Sequence, residues 1–226
     1  MNDHTEKLLH CIPQKVLARC RDPVYRFLEK QERSVAVVFV DVEGCTRLCE
    51  DLSPSEMNKL IEAYFSRFFD AVEGAGGTVN EIMGDGFMAI FDEDEIRNKT
   101  RAAVSAALTI QRQTRDLNAQ RPPELDPLLV NIGIHAGIGL VGFTKFRTSS
   151  GERWTYTASG PVTNIASRLC ALATGGSILV SADVAEHLKE VGYALEPLGP
   201  QKLKNVSRPV LTFRLSDNST DFSESI

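Results

Sequence analysis

The chain has 226 residues, of which 42% are hydrophobic and 24% are charged, and its formal charge is −5, from 25 basic and 30 acidic side chains. This composition fits one good-sized soluble domain with a short appendage and excludes disorder over the whole length. It also argues against a broad nucleic-acid surface, which needs clustered Lys and Arg. The longest apolar run, Val35 to Val40, is far shorter than the roughly 20 residues that span a bilayer, and the N-terminus does not start a signal peptide. We therefore expect a cytoplasmic protein with neither nucleic-acid nor membrane partners.

The first elements follow from local patterns. Residues 1–33 carry scattered apolar side chains, which predicts a segment of short helices broken at its two prolines. The β-branched run Ser34 to Val42 predicts a strand buried on both faces. Ser53-Pro54-Ser55-Glu56 is a capping box with proline at the first helical position. It begins a long helix with a wide apolar stripe, which ends at Gly74-Ala-Gly-Gly77.

The next elements complete the predicted fold. Gly84-Asp85-Gly86 predicts a hairpin between strands at 78–83 and 87–91. The later elements are a helix near 98–118, a strand over 128–141, a protruding hairpin arm at 144–153, a strand at 154–157, a helix over 160–173, a strand at 177–180, a helix at 182–190, and strands near 192–198 and 209–215. The order predicts an α+β fold with a ferredoxin-like βαββαβ core, in which helices lie on one side of a mostly antiparallel sheet. We expect one domain over 34–215 and a frayed tail at 216–226.

Five cysteines are present, an odd number, and no two of them form a CxxC pair. The four histidines form no cluster with metal-ligand spacing. These patterns argue against both a structural zinc site and a disulfide framework. The expectation is a set of reduced thiols, at positions 11, 20, 45, 49 and 170.

Two acidic residues lie where predicted strands end. Asp41 ends the first strand and Asp85 lies at the tip of the hairpin, so both would reach one edge of the sheet if these strands are neighbours. Paired carboxylates suit divalent cations, which prefer oxygen ligands and can bridge phosphates. The turn Gly44-Cys45-Thr46 offers backbone N–H groups suited to phosphate. The alternative is that Asp41 caps a turn and Asp85 is merely the Asp of a hairpin.

A third polar pair lies on the helix that follows Gly160. Asn164 and Arg168 are four residues apart, so they share a helix face distinct from the apolar stripe Val162–Ile165–Leu169. An arginine there could hold a phosphoryl oxygen while the asparagine orients a ribose. A solvated polar face is the alternative.

Three segments together resemble the class III nucleotidyl cyclases. They are the Val37–Thr46 segment VVFVDVEGCT, the hairpin Gly84-Asp85-Gly86, and the Tyr156–Leu169 segment YTASGPVTNIASRL. The similarity extends from about Ser34 to Leu215, in the family's order and spacing. It implies a cyclase that converts a nucleoside triphosphate to a 3′,5′-cyclic nucleotide and pyrophosphate by a two-metal mechanism.

The resemblance assigns roles to the matching residues. Asp41, Asp85 and the Val42 carbonyl would hold two divalent cations, Mn²⁺ or Mg²⁺. The amides of Gly44 to Thr46 and the side chain of Arg153 would bind the phosphates of the substrate.

Further roles concern the ribose and the oligomer. Asn164 would orient the ribose, and Arg168 would stabilise charge on the α-phosphate. Lys202 or Lys204 corresponds to a triphosphate-binding lysine, with the register left open. Family members are head-to-tail dimers with composite sites, so the resemblance implies a homodimer in which the arm at 144–153 reaches the partner.

Base recognition is where the chain departs from the adenylate cyclase pattern. Glu81 occupies the position of a base-reading lysine, and Thr157 occupies a position that is often Asp. A carboxylate accepts an N–H from guanine or uracil but matches adenine poorly. Hydrogen-bond counting favours guanine. The short build, however, resembles the pyrimidine cyclases of bacterial phage defence, whose product a separate effector protein reads. The expected order is UTP, then GTP, then ATP.

Two other interpretations remain. The segment Asp41 to Thr46 echoes the nucleophile loop of haloacid-dehalogenase phosphatases, but Glu43 replaces its second aspartate, and the Asn164/Arg168 pair would go unexplained. The other interpretation is a catalytically silent domain that only binds a nucleotide or a partner.

Overall fold

The computed structural model describes residues 12–21, 30–45, 52–122, 125–189 and 192–217. Its helices are α1 Gln14–Arg21, α2 Pro54–Gly74, α3 Ile96–Asn118, α4 Pro161–Leu172 and α5 Ala182–Leu188. Its strands are β1 Gln31–Glu43, β2 Thr78–Met83, β3 Gly86–Phe91, β4 Leu129–Thr148, β5 Gly151–Ser159, β6 Ile178–Ser181, β7 Ala194–Gln201 and β8 Val210–Ser216. Most of the predicted N-terminal segment and of the predicted tail lies outside the described residues.

One sheet contains all eight strands, in the order β2–β3–β1–β4–β6–β8–β7, with β5 paired to β4. The first four strands give the ferredoxin-like order, with β1 between β3 and β4. In the described part of the chain only β4 and β6 pair in parallel. The prediction of an α+β fold with a mostly antiparallel sheet is therefore confirmed.

Strand β1 has both faces covered by helices. Alternate residues from Ala36 to Val42 pack with apolar residues of α2, α3 and α5. Val35 and Val37 point to the opposite face, where they pack with Val162 and Ala166 of α4. The expectation that helices lie on only one side of the sheet was wrong, because the apolar stripe of α4 needs its own sheet face to be buried.

Local signals place several boundaries where the sequence predicts them. The Ser53 side chain accepts from the N–H of Glu56, and the Glu56 side chain accepts from the N–H of Ser53, which completes the capping box of α2. The hairpin between β2 and β3 also forms as predicted. Within the described residues, no helix is both long and apolar enough to cross a bilayer.

Strand β4 continues past the predicted end at Val141 and forms a long hairpin arm with β5. The two strands pair from Leu140 opposite Ser159 out to Thr148 opposite Gly151. This pairing satisfies the backbone of the polar stretch at 144–153, which the sequence predicts as a protruding hairpin arm. The arm carries the exposed aromatic side chains Phe146 and Trp154.

Candidate active site

The register between β1 and β3 brings Asp41 and Asp85 together. Asp41 pairs with Gly86, and the Val42 N–H donates to the Asp85 carbonyl oxygen at 3.1 Å. A Cβ at Gly86 would lie 2.6 Å from the Val40 carbonyl oxygen, so the close approach needs glycine there. The carboxylates thus share one edge of the sheet, as the sequence predicts if these strands are neighbours.

The electrostatics of this acidic pair suit a cation. Partial burial raises the pKa of Asp41, and the nearby charge of Asp85 raises it further. Neither carboxylate has a hydrogen-bond or ion-pair partner among the described residues. In the same part of the chain, no group of three or more His, Cys, Asp or Glu side chains converges on one point. The donor set is therefore two hard oxygen ligands with room for main-chain, water or phosphate oxygens, which fits Mg²⁺ or Mn²⁺.

Glu43 is not a third carboxylate of this pair. Its Oε2 accepts from Asn131 Nδ2 at 2.9 Å and from the Gly175 N–H at 2.7 Å. These bonds point Glu43 toward the turn after α4 and connect the end of β1 to that turn. The arrangement removes the likeness to the phosphatase loop, in which the second acidic residue would act beside the first.

The turn predicted to bind phosphate is described only in part. Gly44 has a positive φ of 71°, which glycine adopts without strain, and Cys45 is buried. Thr46 lies outside the described residues. Cys45 and Cys170 are both buried, and neither forms a disulfide within the described chain.

Helix α4 presents Asn164 and Arg168 away from its buried stripe, as predicted. Asn164 is exposed and Arg168 is half-buried. Neither side chain has a hydrogen-bond or ion-pair partner within the described ranges. The helix lies very close to β4, since a Cβ at Gly133 would be 2.1 Å from the Cys170 backbone nitrogen and 2.3 Å from the Ala166 carbonyl oxygen. Gly133 therefore sets the position of the helix, a role that its sequence context did not reveal.

A small cavity of about 240 Å³ separates Asp41 from the side of α4. Ser167, Cys170 and Ala171 line it together with Asp41 and neighbouring sheet residues. Burial and the charge of Asp41 raise the pKa of the Cys170 thiol to about 12. The thiol is therefore neutral and donates to the Asn131 carbonyl oxygen at 3.4 Å. Sequence reasoning expected Cys170 as a reduced thiol but predicted neither this cavity nor the position of the thiol beside Asp41.

The two residues predicted to read the base lie in contact. Thr157 Oγ1 donates to Glu81 Oε1 at 2.5 Å, and Asn80 Nδ2 donates to Thr157 Oγ1 at 3.2 Å. Sequence reasoning identified Glu81 and Thr157 but missed Asn80. No hydrogen bond or ion pair within the described chain connects this group to the acidic pair or to Arg168.

The predicted phosphate-binding cations lie elsewhere on the surface. Arg153 is exposed on β5, within the hairpin arm. Lys202 and Lys204 are both exposed just after β7. Their positions do not distinguish which lysine corresponds to the family's residue.

The fold and the arrangement of these groups define a domain of the nucleotidyl cyclase class. The family model described as the adenylate and guanylate cyclase catalytic domain matches residues 27–217. The chain belongs to this family.

Individual relatives agree with this membership. The chain is 31% identical over 166 residues to an adenylate cyclase of Anabaena cylindrica, covering 69% of the chain and 31% of that relative. The adenylyl cyclase CyaB of P. aeruginosa superposes with a TM-score of 0.76 at 28% identity, covering 86% of the chain and 99% of that structure. The guanylyl cyclase Cya2 superposes with a TM-score of 0.71 at 27% identity, covering 86% and 98%. The chain spans about a third of the length of the curated relatives it matches first.

Proposed function

We propose that the chain converts a nucleoside triphosphate to a 3′,5′-cyclic nucleotide and pyrophosphate. The observation that carries the proposal is the pair of unpartnered carboxylates, Asp41 and Asp85, at the shared edge of β1 and β3. The names of the relatives, adenylate and guanylyl cyclases, support the same reaction. A domain that only binds a nucleotide could use the carboxylates and Asn164 but would have no need for Arg168, whose proposed role is to stabilise charge in the transition state.

The chain's own residues would act by positioning and by charge. The O3′–Pα bond forms as the Pα–O bond to the β-phosphate breaks, pyrophosphate leaves, and the hydroxyl proton passes to solvent. Asp41 and Asp85 would hold divalent cations, which lower the pKa of the attacking hydroxyl and neutralise the triphosphate. Asn164 orients the ribose, and Arg168 stabilises the charge that develops on the α-phosphate.

The complete site is proposed to form between two copies of the chain. In one chain, no hydrogen bond or ion pair among the described residues joins the acidic pair to Arg168 or to the Glu81–Thr157 group. Phe146 is 53% exposed and Trp154 is 41% exposed on the projecting arm, which gives a second copy an apolar surface to cover. A head-to-tail dimer would place the acidic pair of one chain opposite the base and ribose residues of the other.

The base pocket favours a base with N–H donors. Thr157 donates its only hydroxyl proton to Glu81, so the pair offers acceptors to a base. Guanine matches with N1–H and the 2-amino group. Because the Thr157 proton is occupied, guanine leaves one carbonyl, O6, without a donor from this pair, whereas uracil offers only N3–H and leaves two carbonyls without one. We therefore place GTP first, UTP second and ATP last. The order expected from the sequence had UTP first and GTP second, so these two substrates change places. A role in phage defence through a separate effector stays a prediction.

Chromatography of the products tests the proposal. The purified chain is incubated with each of the four ribonucleotides and Mn²⁺, beside an Asp85→Asn variant and the surface control Asp116→Asn. We expect cyclic GMP as the main product, cyclic UMP next, and no product from Asp85→Asn. Release of orthophosphate instead of pyrophosphate would revive the phosphatase interpretation, and cyclic AMP as the main product would refute the base assignment.

A further inference from the structure

A β-bulge in β2 turns an additional side chain toward the base-reading pair. Val79 pairs with Ala89 and Glu81 pairs with Met88, so Asn80 is the extra residue and has no partner across the ladder. In a regular strand, neighbouring side chains point to opposite faces. At this bulge, Asn80 and Glu81 instead both contact the Thr157 hydroxyl, at 3.2 and 2.5 Å.

Proton counting fixes the direction of each bond in this group. The Thr157 hydroxyl has one proton, and the Glu81 carboxylate can only accept. A second acceptor, the Ala158 carbonyl oxygen, lies 3.2 Å from Thr157 Oγ1, but the bond to the carboxylate is shorter and charge-assisted. The proton therefore goes to Glu81, and Thr157 must accept from Asn80. This requirement orients the Asn80 amide with Nδ2 toward Thr157.

The orientation leaves Asn80 in an unusual state. Its Oδ1 is buried and has no hydrogen-bond partner among the described residues. An unmet buried acceptor destabilises a folded protein, so a purely structural side chain here would be better replaced by an apolar one. The hydrogen bond from the Asn80 side-chain N–H to Thr157 is therefore the contact that accounts for an asparagine at this position.

We propose that Asn80 is a positioning residue that excludes adenine from the base pocket by acting through Thr157. With the Asn80 N–H on one side and Glu81 on the other, the Thr157 proton is kept from the base. Adenine would need Glu81 to accept from its 6-amino group and Thr157 to donate to its bare N1. Without the Asn80 donor, the hydroxyl is freer to turn and donate to N1. This inference rests on the proposed function, because it assumes that Glu81 and Thr157 read the base.

The test is the ratio of kcat/KM for GTP to kcat/KM for ATP, measured with Mn²⁺. Asn80→Val removes the donor without opening a cavity, and we expect the ratio to fall about tenfold, the scale of the net free energy of one hydrogen bond. The control Asn98→Val removes an exposed amide that donates to Asp94 at 2.9 Å, away from the pocket, and should leave the ratio unchanged.

A double variant separates positioning from a general structural effect. In a Thr157→Val background, adding Asn80→Val should change the ratio less than twofold, because the hydroxyl through which Asn80 acts is gone. An equal fall in both backgrounds would overturn the action through Thr157. If circular dichroism shows that Asn80→Val is unfolded, Asn80→Ala, which also removes the amide donor, is judged by the same criteria.

The outcomes distinguish this inference from the proposed function. A wild-type protein that prefers GTP, combined with an Asn80→Val ratio that does not move, overturns the role of Asn80 alone. A wild-type protein that prefers ATP refutes the base assignment, and the role of Asn80 with it. A protein that makes no cyclic nucleotide refutes the proposed function itself.

Discussion

Replacing Asp41 by Asn should have opposite effects on thermal stability in the absence and in the presence of metal. Burial and the charge of Asp85 raise the pKa of Asp41, so the folded state disfavours the ionised carboxylate that is present at neutral pH. Asn removes that charge. Asp41 is only partly desolvated and much of its surface stays open to solvent, so the relief is at the weak end of charge interactions, about 1 kcal/mol or less. For a chain of this length, that raises Tm by about 2–4 °C at most.

Mn²⁺ should reverse the stability order and make the wild type more stable than Asp41→Asn. At a free metal concentration of 100 times Kd, a ligand that binds only the folded state stabilises it by about 2.7 kcal/mol. For a chain of this length, the wild-type Tm would rise by about 5–11 °C. Asp41→Asn has lost one of two carboxylate ligands and should show only a small part of this rise. The variant is therefore the more stable protein in EDTA and the less stable one in Mn²⁺.

The assay is thermal unfolding followed by circular dichroism, first in EDTA and then across a Mn²⁺ titration without nucleotide. The matched control is Asp116→Asn, which removes an exposed carboxylate from α3 and should behave like the wild type in both conditions. If Asp41→Asn keeps the full Mn²⁺-dependent rise in Tm, Asp41 is not a metal ligand and the reasoning fails.

Three further predictions concern the helix α4, the dimer and pH. Arg168→Ala should lower kcat by roughly 10²-fold or more, because it removes a charge that stabilises the transition state. Mixing this variant with inactive Asp41→Ala should restore about a quarter of wild-type activity, because half of the dimers are then mixed and each mixed dimer has one intact site of two. No recovery after verified subunit exchange would contradict the composite site. Gly133→Ala should lower the free energy of unfolding, measured by urea titration, by roughly 1–3 kcal/mol or more, and should also reduce activity, because the new Cβ meets the backbone of α4. The control Gly74→Ala should change neither quantity, because a Cβ there meets no atom within 4 Å. Burial lowers the pKa of His135 despite the opposing charge of Asp183, so the unfolded chain binds this proton at higher pH than the folded protein does. The free energy of unfolding should therefore fall as the pH drops below 6.5. If His135→Gln, compared with the wild type by urea unfolding at pH 5 and pH 7.5, loses stability as steeply, His135 is not responsible.

Much of the fold was predictable because its signals are local. The capping box at Ser53, the Asp-Gly hairpin at Asp85 and the apolar run of β1 each act within a few residues of the chain. The helical spacing of Asn164 and Arg168 likewise places both on one exposed face without reference to any other element. These patterns sufficed to predict the α+β class and to bring the acidic pair to one edge of the sheet.

The tertiary structure alone decided how distant segments meet. Glu43 binds Asn131, 88 positions away, so this carboxylate is occupied elsewhere and not beside Asp41. Thr157 donates to Glu81, 76 positions away, and only the bulge in β2 adds Asn80 to that group. A one-residue change in strand pairing reverses which side chains face a site, and composition or periodicity does not record it. The sequence therefore determined which chemical groups this protein carries, and the register of its sheet determined which of them act together.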